Sequence, residues 1–163
     1  VWRSKLFSYR VRQGRYDPVE EARKYLRKNG RTIVVSFVSD PYPHEEIKKR
    51  ITRKVLDVLS RNPYNKVMVL TKNPVLAYEL DRELFIMFRH FWLGTTVTTL
   101  DPIISRKLEP NAPMPHIRLP VLRWLHGVGG HTWLSIEPII PYVSFPEDIV
   151  CLLYTSPSPR DRG

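Results

Sequence analysis

"RTIVVSFVSDPYPHEE" (Arg31–Glu46) decides the fold. Its first half, Thr32–Val38, is a short β-branched run with little polar alternation. Such a run reads as a strand covered on both faces, as in a parallel sheet. It stops at Ser39-Asp40-Pro41, and a helical pattern begins at His44. An apolar strand that turns polar just before a helix marks the edge where parallel α/β folds bind ligands.

The unit recurs along the chain. A helix is predicted over His44–Asn62, with Ile47, Ile51, Val55, Val58 and Leu59 on one face. "KVMVLTK" (Lys66–Lys72) predicts a second buried strand and Pro74–Leu84 a helix. "FWLGTTVTT" (Phe91–Thr99) predicts a third strand, followed by helices near Ile103–Leu108 and Ile117–Val128, with Gly129-Gly130 as a stop. "TWLSIEPII" (Thr132–Ile140) predicts a fourth strand. Upstream, Asp17 suits an N-cap, Pro18 the first helical position, and Asn29-Gly30 a stop. Val1–Tyr16 is basic and aromatic without a clean period. Strand and helix alternating at roughly 30-residue intervals give βαβ units on a parallel sheet. The fold class is α/β, as a small open sheet or as part of a (β/α) barrel, since four strands do not close one.

The 163 residues suit one domain with a core. Lys and Arg total 26 against 16 Asp and Glu, a formal charge of +10 that attracts polyanions, nucleic acid first. No apolar run approaches the ~20 residues of a membrane span, and "VWRSKLFSYR" lacks the apolar region of a secretory signal. A single cysteine, Cys151, rules out an internal disulfide framework and fits a reducing, cytoplasmic setting.

Both ends are unusual. The chain opens on Val1, which suits a fragment or a processed product. "CLLYTSPSPRDRG" (Cys151–Gly163) lacks periodicity, and its Ser-Pro-Ser-Pro suits neither helix nor strand. Read as codons, Cys151–Asp161 resembles a transposase sequencing adapter. On that reading residues 1–150 are the natural domain, residues 151–163 are a non-native tail, and the natural part has no cysteine. Its charge stays near +9, because the tail carries Arg160, Arg162 and Asp161.

The predicted strand ends supply Ser39 and Asp40, then Thr71, Lys72 and Asn73, then Thr98, Thr99 and Asp101, then Ser135, Glu137 and Pro138. Taken singly they read as caps and turns; Asp40 and Asp101 each precede proline, an ordinary turn start. Taken together they suit a ligand with an amine and a carboxylate. Asp40 or Glu137 would take the amine, Lys72 the carboxylate, and the Ser39 and Thr98 hydroxyls either group or a ribose. The five histidines show no HxH or HExxH spacing, so no protein metal site is expected. GxGxxG, the P-loop and GxSxG are absent. "KKRITRK" (Lys48–Lys54) reads as a solvated helix face above Ile51 and Val55, with phosphate contact as a weaker alternative.

Several stretches, "SFVSDPYPHEE", "TRKVLDVL", "VMVLTKNP", "TTVTTLDPIISRKLEPNAPMPHIRLPVLRWL" and "LSIEPIIP", resemble the radical S-adenosylmethionine enzymes, in the branch around spore photoproduct lyase. The similarity runs from about Thr32 to Pro141, and its most specific piece is "LDPIISRKLEPNAP…R…LRWL". The resemblance implies a partial (β/α)6 barrel and a 4Fe–4S cluster on a CxxxCxxC loop. It implies that the open iron chelates S-adenosylmethionine, whose cleavage yields a 5′-deoxyadenosyl radical. Residue by residue, it places Ser39 and Asp40 near the methionyl amine, Lys72 at the carboxylate, Thr98 near the same group, and Glu137 beside the nucleoside. The chain departs from that family in having no CxxxCxxC, and thiolates hold such clusters. The expectation is therefore an incomplete barrel that lacks the first strand and cluster loop and is inactive by itself. A paralogue without the cluster, and a non-catalytic basic α/β module that binds nucleic acid, are the alternatives.

Overall fold

The computed structural model describes residues 17–35 and 39–155, the side chains of 154 and 155 excepted. In chain order its elements are α1 (Pro18–Arg23), β1 (Thr32–Val35), α2 (Glu46–Lys49), α3 (Ile51–Leu59), β2 (Lys66–Thr71), α4 (Pro74–Met87), β3 (Phe91–Thr96), α5 (Pro102–Leu108), α6 (Pro115–Gly127), β4 (His131–Ser135) and α7 (Pro146–Thr155). The strands form one sheet in the order β1-β2-β3-β4, every pair parallel. Parallel neighbours need crossover connections, and the helices α3 and α4 that supply two of them share one core with β2 and β3.

Burial follows that geometry. Val67, Val69 and Thr71 of β2 are buried toward the helices, while Met68 and Leu70 alternate to the other face and are half-buried. Val67, Val69, Phe91 and Leu93 share one core with Val55, Leu56, Leu59, Ala77, Leu84 and Phe85. A second cluster joins Val97, Leu119 and Ile149, with Leu134 and Leu153 against it. Gly94 is required on β3, because a side chain there would collide with the indole of Trp133, its cross-strand neighbour.

The α1 start follows its sequence: the Asp17 carboxylate accepts from the Val19 and Glu20 amides. The helix predicted over His44–Asn62 is instead broken at Arg50, which adopts a left-handed conformation (φ 52°). That break resets the helical phase. Thr52, Val55, Leu56 and Leu59 become the inward stripe of α3, and Ile47 and Ile51 are left exposed rather than facing the core. The break is held by Asp81, which is fully buried at a kink in α4. Asp81 accepts from Arg50 at 2.9 Å, Arg53 at 3.2 Å and the Tyr42 hydroxyl at 2.9 Å. Burial, then the Asp81 charge, pushes the Tyr42 hydroxyl pKa well up.

The strands are shorter than expected at their C-terminal ends: β3 stops at Thr96 rather than Thr99, and β4 at Ser135 rather than Ile140. Residues 36–38 of the first predicted strand, the basic segment 1–16, and residues 156–163 lie outside the described residues. Cys151–Thr155, expected to be aperiodic, is the second half of α7. Pro146 at its start and Glu147 and Asp148 in its first turn favour that helix, and Ile149 and Leu153 share its inward side. Among the described residues no helix is long and apolar enough to cross a membrane.

Candidate functional site at the strand ends

Asp40 sits where the chain leaves β1 and ties that segment to β2. Its Oδ1 accepts from the Tyr42 amide (2.9 Å) and the Thr71 hydroxyl (2.6 Å), and its Oδ2 from the Lys72 amide (2.7 Å). A carboxylate has about four acceptor positions, so capacity for one further donor remains. Ser39, beside it, is exposed. The Asp40–Pro41 turn expected from sequence is therefore present and also fixes where the Lys72 side chain starts.

Lys72 follows β2, with 47% of its side chain exposed, and its Nζ lies 2.8 Å from Glu109 Oε1. The approach misses hydrogen-bond alignment, so Oε1 is buried beside a cation without an aligned donor. The other oxygen, Oε2, accepts from Arg118 Nη2 at 2.6 Å. Arg118 is wholly buried; it also donates to the Thr96 carbonyl at the end of β3 (2.7 Å) and to the Pro113 carbonyl (2.5 Å). The Glu109 side chain is 7% exposed. One carboxylate thus lies between two cations, of which only the Lys72 ammonium reaches solvent. That arrangement suits an anionic ligand group.

Thr98 is buried, and its hydroxyl donates to the Glu137 carbonyl at a long 3.4 Å. The Glu137 side chain is exposed. The five expected residues therefore fall into two sets: Ser39, Asp40 and Lys72 at β1 and β2, and Thr98 with Glu137 beyond β3 and β4. Glu109 and Arg118 extend the first set from Lys72 as far as the Thr96 carbonyl at the end of β3. Other strand-end residues are ordinary caps. Asn73 accepts from the Leu76 amide, and Asp101 from the Ile103 and Ile104 amides.

Glu109 and Arg118 were not among the expected site residues. The signal for them was present in the "LEPNAP…R" piece, but the nine-residue separation matches no helical or strand period, since a loop carries Glu109 back to α6. Among the described residues no group of three or more His, Cys, Asp and Glu could hold a metal ion.

Comparison with known proteins adds little chemistry. No family model matches the chain, and no solved structure does. The chain is 27% identical over 137 residues to the uncharacterized protein ORF301 of Acidianus two-tailed virus, which covers 80% of this chain. The match spans 43% of that viral protein, less than half its length.

Proposed function

We propose that this chain is part of a radical S-adenosylmethionine protein of the spore photoproduct lyase-like branch, and that the strand-end site holds the amino-acid end of S-adenosylmethionine. The observation that carries this reading is the exposed Lys72 ammonium. It projects from the carboxyl edge of a parallel sheet, beside a carboxylate already neutralised by buried Arg118. Lys72 would take the ligand carboxylate. Asp40, with one acceptor position left, and the Ser39 hydroxyl would face the amine; Thr98 would stand near the carboxylate and Glu137 beside the nucleoside. The sequential strand order also supports the reading, because an arc of a (β/α) barrel is wound that way.

S-adenosylmethionine bound to a cluster supplies a carbon radical in that family. This chain contains one cysteine, Cys151, exposed on α7, so no cluster ligand set is present in it and no step through a cluster is assigned to these residues. Binding can be tested without radical chemistry. Saturation-transfer NMR should detect S-adenosylmethionine and methionine on the full chain, with methioninol, which lacks the carboxylate, much weaker. Lys72→Ala should abolish the difference between methionine and methioninol. Equal signals from methionine and methioninol on the unaltered chain would overturn the assignment.

A further inference from the structure

The two ends of the sheet differ sharply in charge. Among the described residues, the connections entering the strands are 24–31, 60–65, 88–90 and 128–130. They carry Lys24, Arg27, Lys28, Arg31, Arg61 and Arg89, with no Asp or Glu. The connections leaving the strands carry Asp40, Glu45, Asp101 and Glu137 against Lys72. The cationic end is thus opposite the candidate site.

Backbone and amide hydrogen bonds make the cationic connections one surface. The Gly30 amide donates to the Tyr64 carbonyl (3.2 Å) and the Lys66 amide to the Arg31 carbonyl (2.8 Å). The Asn62 side chain donates to the Tyr25, Leu26 and Lys28 carbonyls, and Asn65 to the Lys28 carbonyl. Next along, the Val67 amide donates to the His90 carbonyl, and Arg89 to the Gly129 carbonyl.

Part of this charge has local work. Helix C-termini favour cations; Lys28 lies over the Tyr25 ring, Lys66 over Trp92, and Lys24 pairs with Glu21. Arg27, Arg31 and Arg61 are exposed and have no ion-pair partner among the described residues. Tyr64, 74% exposed, belongs to the same surface: its carbonyl accepts from the Gly30 amide beside Arg31, and it lies three residues from Arg61. Unpaired guanidiniums on one surface with an exposed aromatic ring match a phosphate backbone with an unstacked base. Trp92 offers no such face, since Lys66 covers one side and His131 stacks at 4.8 Å on another.

We propose that the strand-entry end, centred on Arg27, Arg31, Arg61 and Tyr64, binds single-stranded nucleic acid. It is independent of the cofactor assignment, since it lies at the other end of the sheet.

Fluorescence anisotropy of a labelled oligothymidylate, titrated with the full chain across a salt series, tests it. The triple substitution Arg27→Ser, Arg31→Ser, Arg61→Ser should lower the salt slope by about two and weaken binding about a hundredfold near ~0.1 M salt. Tyr64→Ala should weaken it at least about fivefold with an unchanged slope. The charge-matched control Lys48→Ser, Lys49→Ser, Lys107→Ser should have a much smaller effect. Equal losses in the two triple variants would overturn the proposal, leaving only diffuse attraction. So would tighter binding to a duplex of the same length, or binding to phosphatidylserine vesicles but not to the oligonucleotide.

Discussion

Arg118 reaches from α6 to hold Glu109 at 2.6 Å while no part of it meets solvent. A charge so enclosed is tolerated only because it is paired and its remaining donors are used, here by the Thr96 and Pro113 carbonyls. Arg118→Leu leaves Glu109 buried beside Lys72 alone and should cost about 3–5 kcal/mol in urea unfolding. Arg118→Lys should recover little, because an ammonium cannot reproduce the planar fork. Adding Glu109→Leu to Arg118→Leu should restore part of the loss.

Lys72 should behave in the opposite way. Its pair with Glu109 is half in water, so Lys72→Ala should change unfolding free energy by no more than about 1 kcal/mol. Its effect belongs to ligand binding. A large stability loss with unchanged methionine binding would make Lys72 a structural residue.

Asp81 joins three donors at the broken helix; its removal leaves the buried Tyr42 hydroxyl without its acceptor, while Arg50 keeps the Leu80 carbonyl and Arg53 keeps Asp57 and Glu83. Asp81→Ala should cost about 1–3 kcal/mol, and Tyr42→Phe about 1 kcal/mol. Arg53 also pairs with Glu83, which offsets the burial that would raise the Glu83 carboxyl and leaves its pKa lowered. The Asp81 loss should exceed that of Glu83→Ala, whose carboxylate is largely exposed.

Gly94→Ala places a methyl against the Trp133 indole. The expected cost is about 1–3 kcal/mol, with a shift in tryptophan fluorescence as the ring leaves β3. An unchanged emission spectrum at full stability would show that the ring has room to move.

His90 predicts a pH dependence. Burial pushes its pKa below the ordinary 6.5, only partly offset by a hydrogen bond with the Leu59 backbone. The unfolded chain then binds the proton more readily than the folded one. Its contribution should be complete above pH 6.5 and fall as pH drops below that value. Comparing the unfolding free energies of the unaltered chain and His90→Gln across this range isolates the effect, since other groups cancel in the difference.

The parallel sheet was legible because strands such as Thr32–Val35 and Lys66–Thr71 are β-branched runs between helical patterns. The helix break at Arg50 was not. Its cause, Asp81, is 31 residues away, and no local propensity puts arginine in a left-handed conformation. The phase of α3 was therefore misread at Ile47 and Ile51. At the strand ends, residue types and predicted strand limits put Asp40 after β1 and Lys72 after β2, where the structure has them. The ion pairs behind Lys72 depend on a loop carrying Glu109 to α6, which periodicity does not encode. The charge contrast between the two ends was written in the sequence, yet only the strand directions sort the loops into two groups.

Among the described residues, the sequential order of β1 to β4 leaves each outermost strand with a neighbour on one side only. Peptide groups along both flanks can accept further strands by simple extension of the ladder. Lengthening the layer on the β4 flank would leave the loops entering β1 and β2, which carry the cationic cluster, at the far side of the sheet.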